Sequence, residues 1–310
     1  MARANNFLDS FDEDELPSGQ PIILTSNLVR FEKFLKMFSL LHQKEWKPTM
    51  GLITGVAGVG KTIAIAHYVA NYPQRPHTGL PGCIKVRVRS RSTPKALAMD
   101  IASALGEQPR GRNVYELADE AAMAMLRNDV EMLLLDECDL LNDDSFEVVR
   151  HIFAKTGVPI VMVGLPEFYK VIQPKSQFRN RVGLHLQFQV LTTKEIIEVV
   201  LPNIVLPRWS FDPTNSADQE LGTKLWQRTS PALRVLQDVL QTASLYAELH
   251  KAPKITSEII DEAFTWSESS TGAPKKKRPR QGSTEYERAS EERHRMQNLK
   301  KNKPDTGNGT

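Results

Sequence analysis

Eight residues constrain this chain more than any others. Gly55-Val-Ala-Gly-Val-Gly60-Lys61-Thr62 satisfies G-x-x-x-x-G-K-[ST] in full. Its glycines let the backbone wrap tightly enough for successive N–H groups to point inward at phosphate oxygens. The flanks agree: Met50 to Thr54 reads as a short apolar strand, and a helical pattern runs from about Lys61 to Asn71. The helix adds the positive end of its dipole to the loop. Gly55, Val56, Ala57, Gly58, Val59, Gly60, Lys61, Thr62 and Ile63 are therefore expected to cradle ATP. Lys61 is expected to reach the β- and γ-phosphates, and Thr62 to place its hydroxyl on Mg²⁺.

The second half of such a site lies in Met132-Leu-Leu-Leu-Asp136-Glu137, 75 residues (136 − 61) beyond Lys61. A continuous apolar run suits a strand buried on both faces. It would deliver Asp136 to the strand tip to hold Mg²⁺ through water, with Glu137 placed to polarise an attacking water. The glutamate argues for hydrolysis and not for binding alone. A second apolar strand, Val158–Val163, ends at Gly164-Leu165-Pro166-Glu167. Many such ATPases carry a polar γ-phosphate sensor at this tip, where Leu165 stands here. Three arginines are candidates for transition-state charge. Arg179 and Arg181 precede the alternating stretch 183–190, and Arg234 opens an amphipathic helix with Leu233, Leu236, Val239 and Leu240.

Elsewhere, helical periodicity spans 24–45 (Leu28, Phe31, Phe34, Leu35, Phe38, Leu41), 94–105, 114–128 and 144–155. Cys83–Val88 alternates as a strand. The order predicts an α/β fold with an open, mainly parallel sheet and helices on both faces over residues 21–190. After Leu191 only helical patterns remain, near 193–204, 218–229, 231–249 and 256–265, which predicts a small all-helical lid over 191–266.

Composition narrows the partners. No run of eighteen apolar residues occurs, so no membrane span is expected. Residues 1–20 are acidic and polar, without the form of a signal peptide. The two cysteines, Cys83 and Cys138, lie far apart without metal-ligand neighbours, which suits a reducing cytosol. Residues 267–310 hold 11 Lys or Arg against 6 Asp or Glu and almost no apolar residues, so a disordered basic tail is expected there. Within it, Lys275-Lys-Lys-Arg-Pro-Arg280 has the form of a nuclear-localisation run. A basic arm for DNA or a protein partner is the reading preferred here.

These residues together resemble the AAA+ ATPases, and among them the transposition-regulator branch of TnsC, TniB and phage Mu B proteins. Three stretches carry the resemblance to the branch: Asp136-Glu-Cys-Asp-Leu-Leu141, Val161-Met-Val-Gly-Leu-Pro-Glu-Phe168, and Pro231-Ala-Leu-Arg234-Val-Leu leading to Ile255, Ile259 and Ala263-Phe264. The resemblance implies an AAA+ core with a helical lid, assembled head to tail into a ring or helical filament with ATP at each junction. It implies Arg181 as a finger acting on the neighbouring subunit's nucleotide, with Arg179 as second choice, and Arg234 as a lid sensor. It further implies duplex DNA in the bore, held with little sequence specificity. The contacts would come from Arg89, Arg91, Ser92, Thr93 and Lys95 on one loop and Arg110, Arg112 and Asn113 on another. A transposase and target-selector proteins would be the partners, in a bacterial cytosol.

Two departures stand out. Leu165 replaces the usual polar sensor, and with about 20 residues before the core a counterpart of the Mu B N-terminal helix-turn-helix is not expected. Asp136-Glu-Cys-Asp139 also resembles a DEAD-type helicase motif, but such a helicase needs a second ATPase-like domain. The expected function is an ATP-dependent, DNA-binding regulator of transposition that assembles on target DNA and disassembles on hydrolysis. A helicase loader or replication initiator, and a nucleotide-gated scaffold with little hydrolysis, are the alternatives.

Overall fold

The computed structural model describes residues 22–44, 50–175, 180–230 and 232–270, with side chains described as far as residue 266. The acidic N-terminus, Arg179, Pro231 and the basic tail from 271 lie outside the described residues.

Five short strands make one parallel sheet in the order β2-β3-β4-β1-β5. They are β1 (Met50–Thr54), β2 (Cys83–Arg87), β3 (Met132–Asp136), β4 (Ile160–Gly164) and β5 (Val182–Gln187). Every residue of β1, β3 and β4 is buried, as their unbroken apolar runs require of central parallel strands. β5 lies at an edge and alternates between more and less exposed positions along its length.

Helices cover both faces. α1 (Ser26–Gln43) and α2 (Lys61–Ala70) pack with Phe31, Phe34, Phe38 and Ile65 against one face. α3 (Pro94–Ser103), α4 (Val114–Arg127), α5 (Asp143–Thr156) and α6 (Pro166–Ile172) cover the other. Local chemistry sets their starts. Thr25, Thr93, Asn113 and Asn142 each accept a backbone N–H from the first turn, which satisfies an otherwise orphaned donor. Gly157 ends α5 in the left-handed conformation, φ 66°.

α6 was not anticipated at Pro166-Glu167, where a plain loop and a sensor role for Glu167 were both open readings. Pro166 occupies its first turn, where a missing N–H costs nothing.

The remaining helices surround a third apolar cluster that includes Leu201, Leu225, Leu240 and Phe264. α7 (Thr193–Glu195) widens into a π-helix over Ile196–Val200 and then tightens into a 3-10 turn over Leu201–Asn203. The helical stretch expected near 193–204 is present over 193–203 but changes type along its length, and Pro202 has no N–H to continue an α ladder. α8 (Ser216–Thr229), α9 (Leu233–Leu249) and α10 (Ser257–Ser270) complete the group. No described helix is long and apolar enough to cross a membrane.

Candidate nucleotide-binding site

The strand register brings Thr54, Gly164 and Gln187 level at one edge of the sheet, and Arg87 level with Asp136. In open parallel sheets this carboxyl edge is where ligands bind. The glycine-rich loop rises from it directly after Thr54. Gly58 and Gly60 adopt left-handed backbone, φ 74° and 96°. Packing adds a second demand for glycine. A Cβ on Gly55 would lie 2.7 Å from Phe188 Cβ, and one on Gly58 would lie 2.8 Å from Ala232 Cβ. The loop is thus pressed between the exit of β5 and the start of α9.

Lys61 opens α2 and folds back into the loop. Its Nζ donates to the carbonyls of Gly55 at 2.6 Å and Val56 at 3.0 Å. Burial pushes its pKa down, opposed by the nearby carboxylates of Asp136, Asp139 and Glu137. Thr62 Oγ1 donates to Asp136 Oδ2 at 2.7 Å, so the two sequence-distant motifs meet at the sheet tip. Asp136 is buried, and its other oxygen accepts the Glu137 N–H at 2.9 Å. Glu137 has φ 59°, a left-handed conformation unusual for a non-glycine residue. Its carboxylate pairs with Arg87 Nη2 at 3.3 Å.

The Thr62 hydroxyl and the Asp136 carboxylate are hard oxygen donors in contact. Mg²⁺ is commonly held by one or two carboxylates together with waters and substrate phosphates, so this pair fits it. No group of three or more His, Cys, Asp or Glu among the described residues forms a metal cage of its own.

The β4 tip contributes no polar side chain. Leu165 instead gives its backbone N–H to Asp139 Oδ1 at 3.0 Å, which ties the β4 tip to the turn after Glu137. Glu167 is exposed in the first turn of α6. The helical group reaches the loop directly, because Leu233 N–H donates to Gly58 O at 2.9 Å. Arg234 follows at once; it is exposed and has no side-chain partner among the described residues. Between α9, the loop and residues 22–28 lies an apolar cleft lined by Ile22, Ile23, Val59, Ile63, Leu233 and Leu236.

Arg181 lies elsewhere. Its carbonyl accepts from Met50 N–H at the amino end of β1, the edge opposite the loop. Five strand residues at ~3.3 Å each separate the two edges by roughly 16 Å. Its guanidinium lies over the Phe153 ring, 5.6 Å from the centroid, and Nη1 is buried without a hydrogen-bond partner among the described residues.

The two basic loops meet, since Lys95 Nζ donates to Arg112 O at 3.0 Å. The eight residues expected on DNA are not equivalent, however. Ser92 is buried, while Thr93 and Asn113 accept the first-turn N–H groups of α3 and α4. Those three side chains are committed to the fold. Arg89 pairs with Asp100 at 3.0 Å. Arg91, Arg110 and Arg112 are exposed, with guanidinium groups unpaired among the described residues.

Sequence reasoning missed Arg87, the role of Asp139, and Ile22 and Ile23 in the cleft. The Ile22-Ile23-Leu24 run just before α1 was the available signal for the last two.

Residues 46–172 match the family model described as an AAA domain. The fold is that of the AAA+ P-loop proteins. Its solved relatives include the Aeropyrum pernix Orc1 protein in complex with DNA, at 20% identity and TM-score 0.60, covering 83% of this chain and 69% of that one. Cdc6p from Pyrobaculum aerophilum matches at 16% identity and TM-score 0.61, covering 85% and 74%. A Drosophila ORC structure bound to DNA matches at 18% identity and TM-score 0.51, covering 85% and 68%. No curated protein is significantly similar in sequence.

Proposed function

We propose that this chain is an ATP-hydrolysing, DNA-binding AAA+ protein that assembles on duplex DNA. The observation that carries the reading is the Thr62–Asp136 contact beneath the glycine loop, with Glu137 beside it. In this reading the N–H groups of Gly55 to Ile63 hold the phosphates and Lys61 bridges the β- and γ-phosphates. Thr62 and Asp136 hold Mg²⁺, which when bound offsets phosphate charge. Glu137 takes the proton of the attacking water. Residues 191–266 act as a lid, with Arg234 over the phosphates and the apolar cleft taking the base. Arg181, remote from its own loop, completes the site of an adjacent subunit in a ring or filament. Arg91, Arg110 and Arg112 contact DNA phosphates without reading sequence.

The finer reading is a regulator of transposition that marks target DNA, recruits a transposase and leaves on hydrolysis. The three branch-like stretches support it. A replication-initiator role is the second reading, favoured by the shared fold with Orc1 in complex with DNA. A scaffold with little turnover is kept open by Leu165, which brings no polar side chain to the β4 tip.

Phosphate release measured with and without duplex DNA tests the hydrolytic reading, and stimulation by DNA is expected. No release under either condition would leave only the scaffold. Electron microscopy with duplex DNA and a non-hydrolysable ATP analogue tests assembly, and monomers at every protein concentration would sink it. Retention of purified transposase, but not of replicative helicase, on the DNA-bound form separates the two biological roles.

A further inference from the structure

The apolar cleft beside the loop has a polar exception. α9 sends Leu233, Leu236, Gln237 and Leu240 to its wall, a three-to-four-residue spacing that marks one helix face. Across from them stand Ile22, Ile23 and Val59, while Thr25 and Asn27 are the other polar side chains among the described lining residues.

Both of those are committed to the fold. Thr25 Oγ1 accepts the Leu28 N–H as the cap of α1. Asn27 is buried and exchanges two hydrogen bonds with the backbone of Gln189, at 2.7 and 3.0 Å. Gln237 is half-buried and has no hydrogen-bond partner among the described residues. It stands four residues, ~6 Å, further along α9 than Leu233, whose N–H bonds to Gly58 O, so it lines the cleft beyond that contact with the glycine loop.

We propose that Gln237 reads the base of the bound nucleotide through the N6/N7 edge of adenine. This inference rests on the nucleotide reading of the loop. An amide offers one acceptor and two donors on a single plane. It pairs bidentately with adenine, accepting from N6–H and donating to N7. Guanine presents two acceptors, O6 and N7, on the same edge, which one amide cannot meet in the same bidentate geometry. The apolar walls sharpen the choice, because a polar base edge left unpaired among Ile and Leu loses its hydration without replacement. Gln237 is thereby a specificity-determining residue, distinct from the loop that holds the phosphates.

The test is equilibrium binding of ATP, GTP and inorganic tripolyphosphate to the full chain and to Gln237→Leu and Gln237→Ala. The unaltered protein should prefer ATP over GTP by about tenfold or more. Both variants should lose roughly five- to tenfold in ATP affinity, close most of the ATP–GTP gap and bind tripolyphosphate unchanged. Two variants at one partly exposed helix position guard against loss of folding in either. Unchanged ATP preference in the variants overturns the proposal, as does equal weakening of ATP and tripolyphosphate, which marks a structural role at the loop. Equal affinity of the unaltered protein for ATP and GTP also overturns it. If the unaltered protein binds neither nucleotide nor tripolyphosphate, the nucleotide reading itself fails.

Discussion

The two edges of the parallel sheet each hold a cation, in opposite circumstances. At the carboxyl edge Lys61 lies among Asp136, Asp139 and Glu137 and donates to two loop carbonyls. Its charge is balanced within one chain. At the amino edge Arg181 rests on Phe153, with one nitrogen buried and unpartnered among the described residues. Leaving such a donor unsatisfied costs about 1–3 kcal/mol or more. Lys61 meets its acceptors in its own fold, whereas the role proposed for Arg181 would need a second subunit. The first arrangement is visible in a single subunit. The second can be tested only in an assembly.

Arg181→Ala should break this contrast most severely if the reading holds. Turnover by the DNA-bound assembly should fall about 10³-fold or more, as for other fingers supplied in trans, with ATP binding by isolated subunits unchanged. Loss of that binding would place Arg181 in its own subunit's site. Glu137→Gln should come next, with turnover down about 10²-fold or more and both ATP binding and assembly on DNA retained. Mixing the two variants sharpens the comparison. A junction joining an intact Arg181 to an intact Glu137 restores turnover, whereas two defects within one self-contained site restore none.

Smaller effects separate the basic loops from their scaffolding. Arg91→Ala combined with Arg112→Ala should reduce the slope of log K against log salt for duplex binding by about 2. Thr93→Ala and Asn113→Ala should leave that slope unchanged. Each should instead cost about 1 kcal/mol in denaturant unfolding, through loss of a helix cap. A slope change in the cap variants would return those side chains to the DNA surface.

What could be read from sequence follows how local each cause is. The glycine loop, the apolar central strands and the helical periods depend on residues within a few positions of one another, so pattern reveals them. Thr93 and Asn113 show the limit. Both precede a helix and both sit in a basic loop, and only the observed N–H contacts show that the cap takes the side chain. α6 escaped because Pro166 reads as a breaker unless its place in a first turn is known. Arg87 escaped because its partner Glu137 is 50 residues away and meets it only through the pairing of β2 with β3.

The sequence by itself determined the phosphate loop, the acidic strand tip and the α/β class, since each rests on short-range backbone geometry and hydrophobic period. Tertiary structure alone decided that Thr62 touches Asp136, that α9 bonds to Gly58, that Gln237 faces the cleft and that Arg181 lies at the far edge. Those outcomes depend on strand order and on helix docking, which are set by burial summed over the whole core and are written in no single segment.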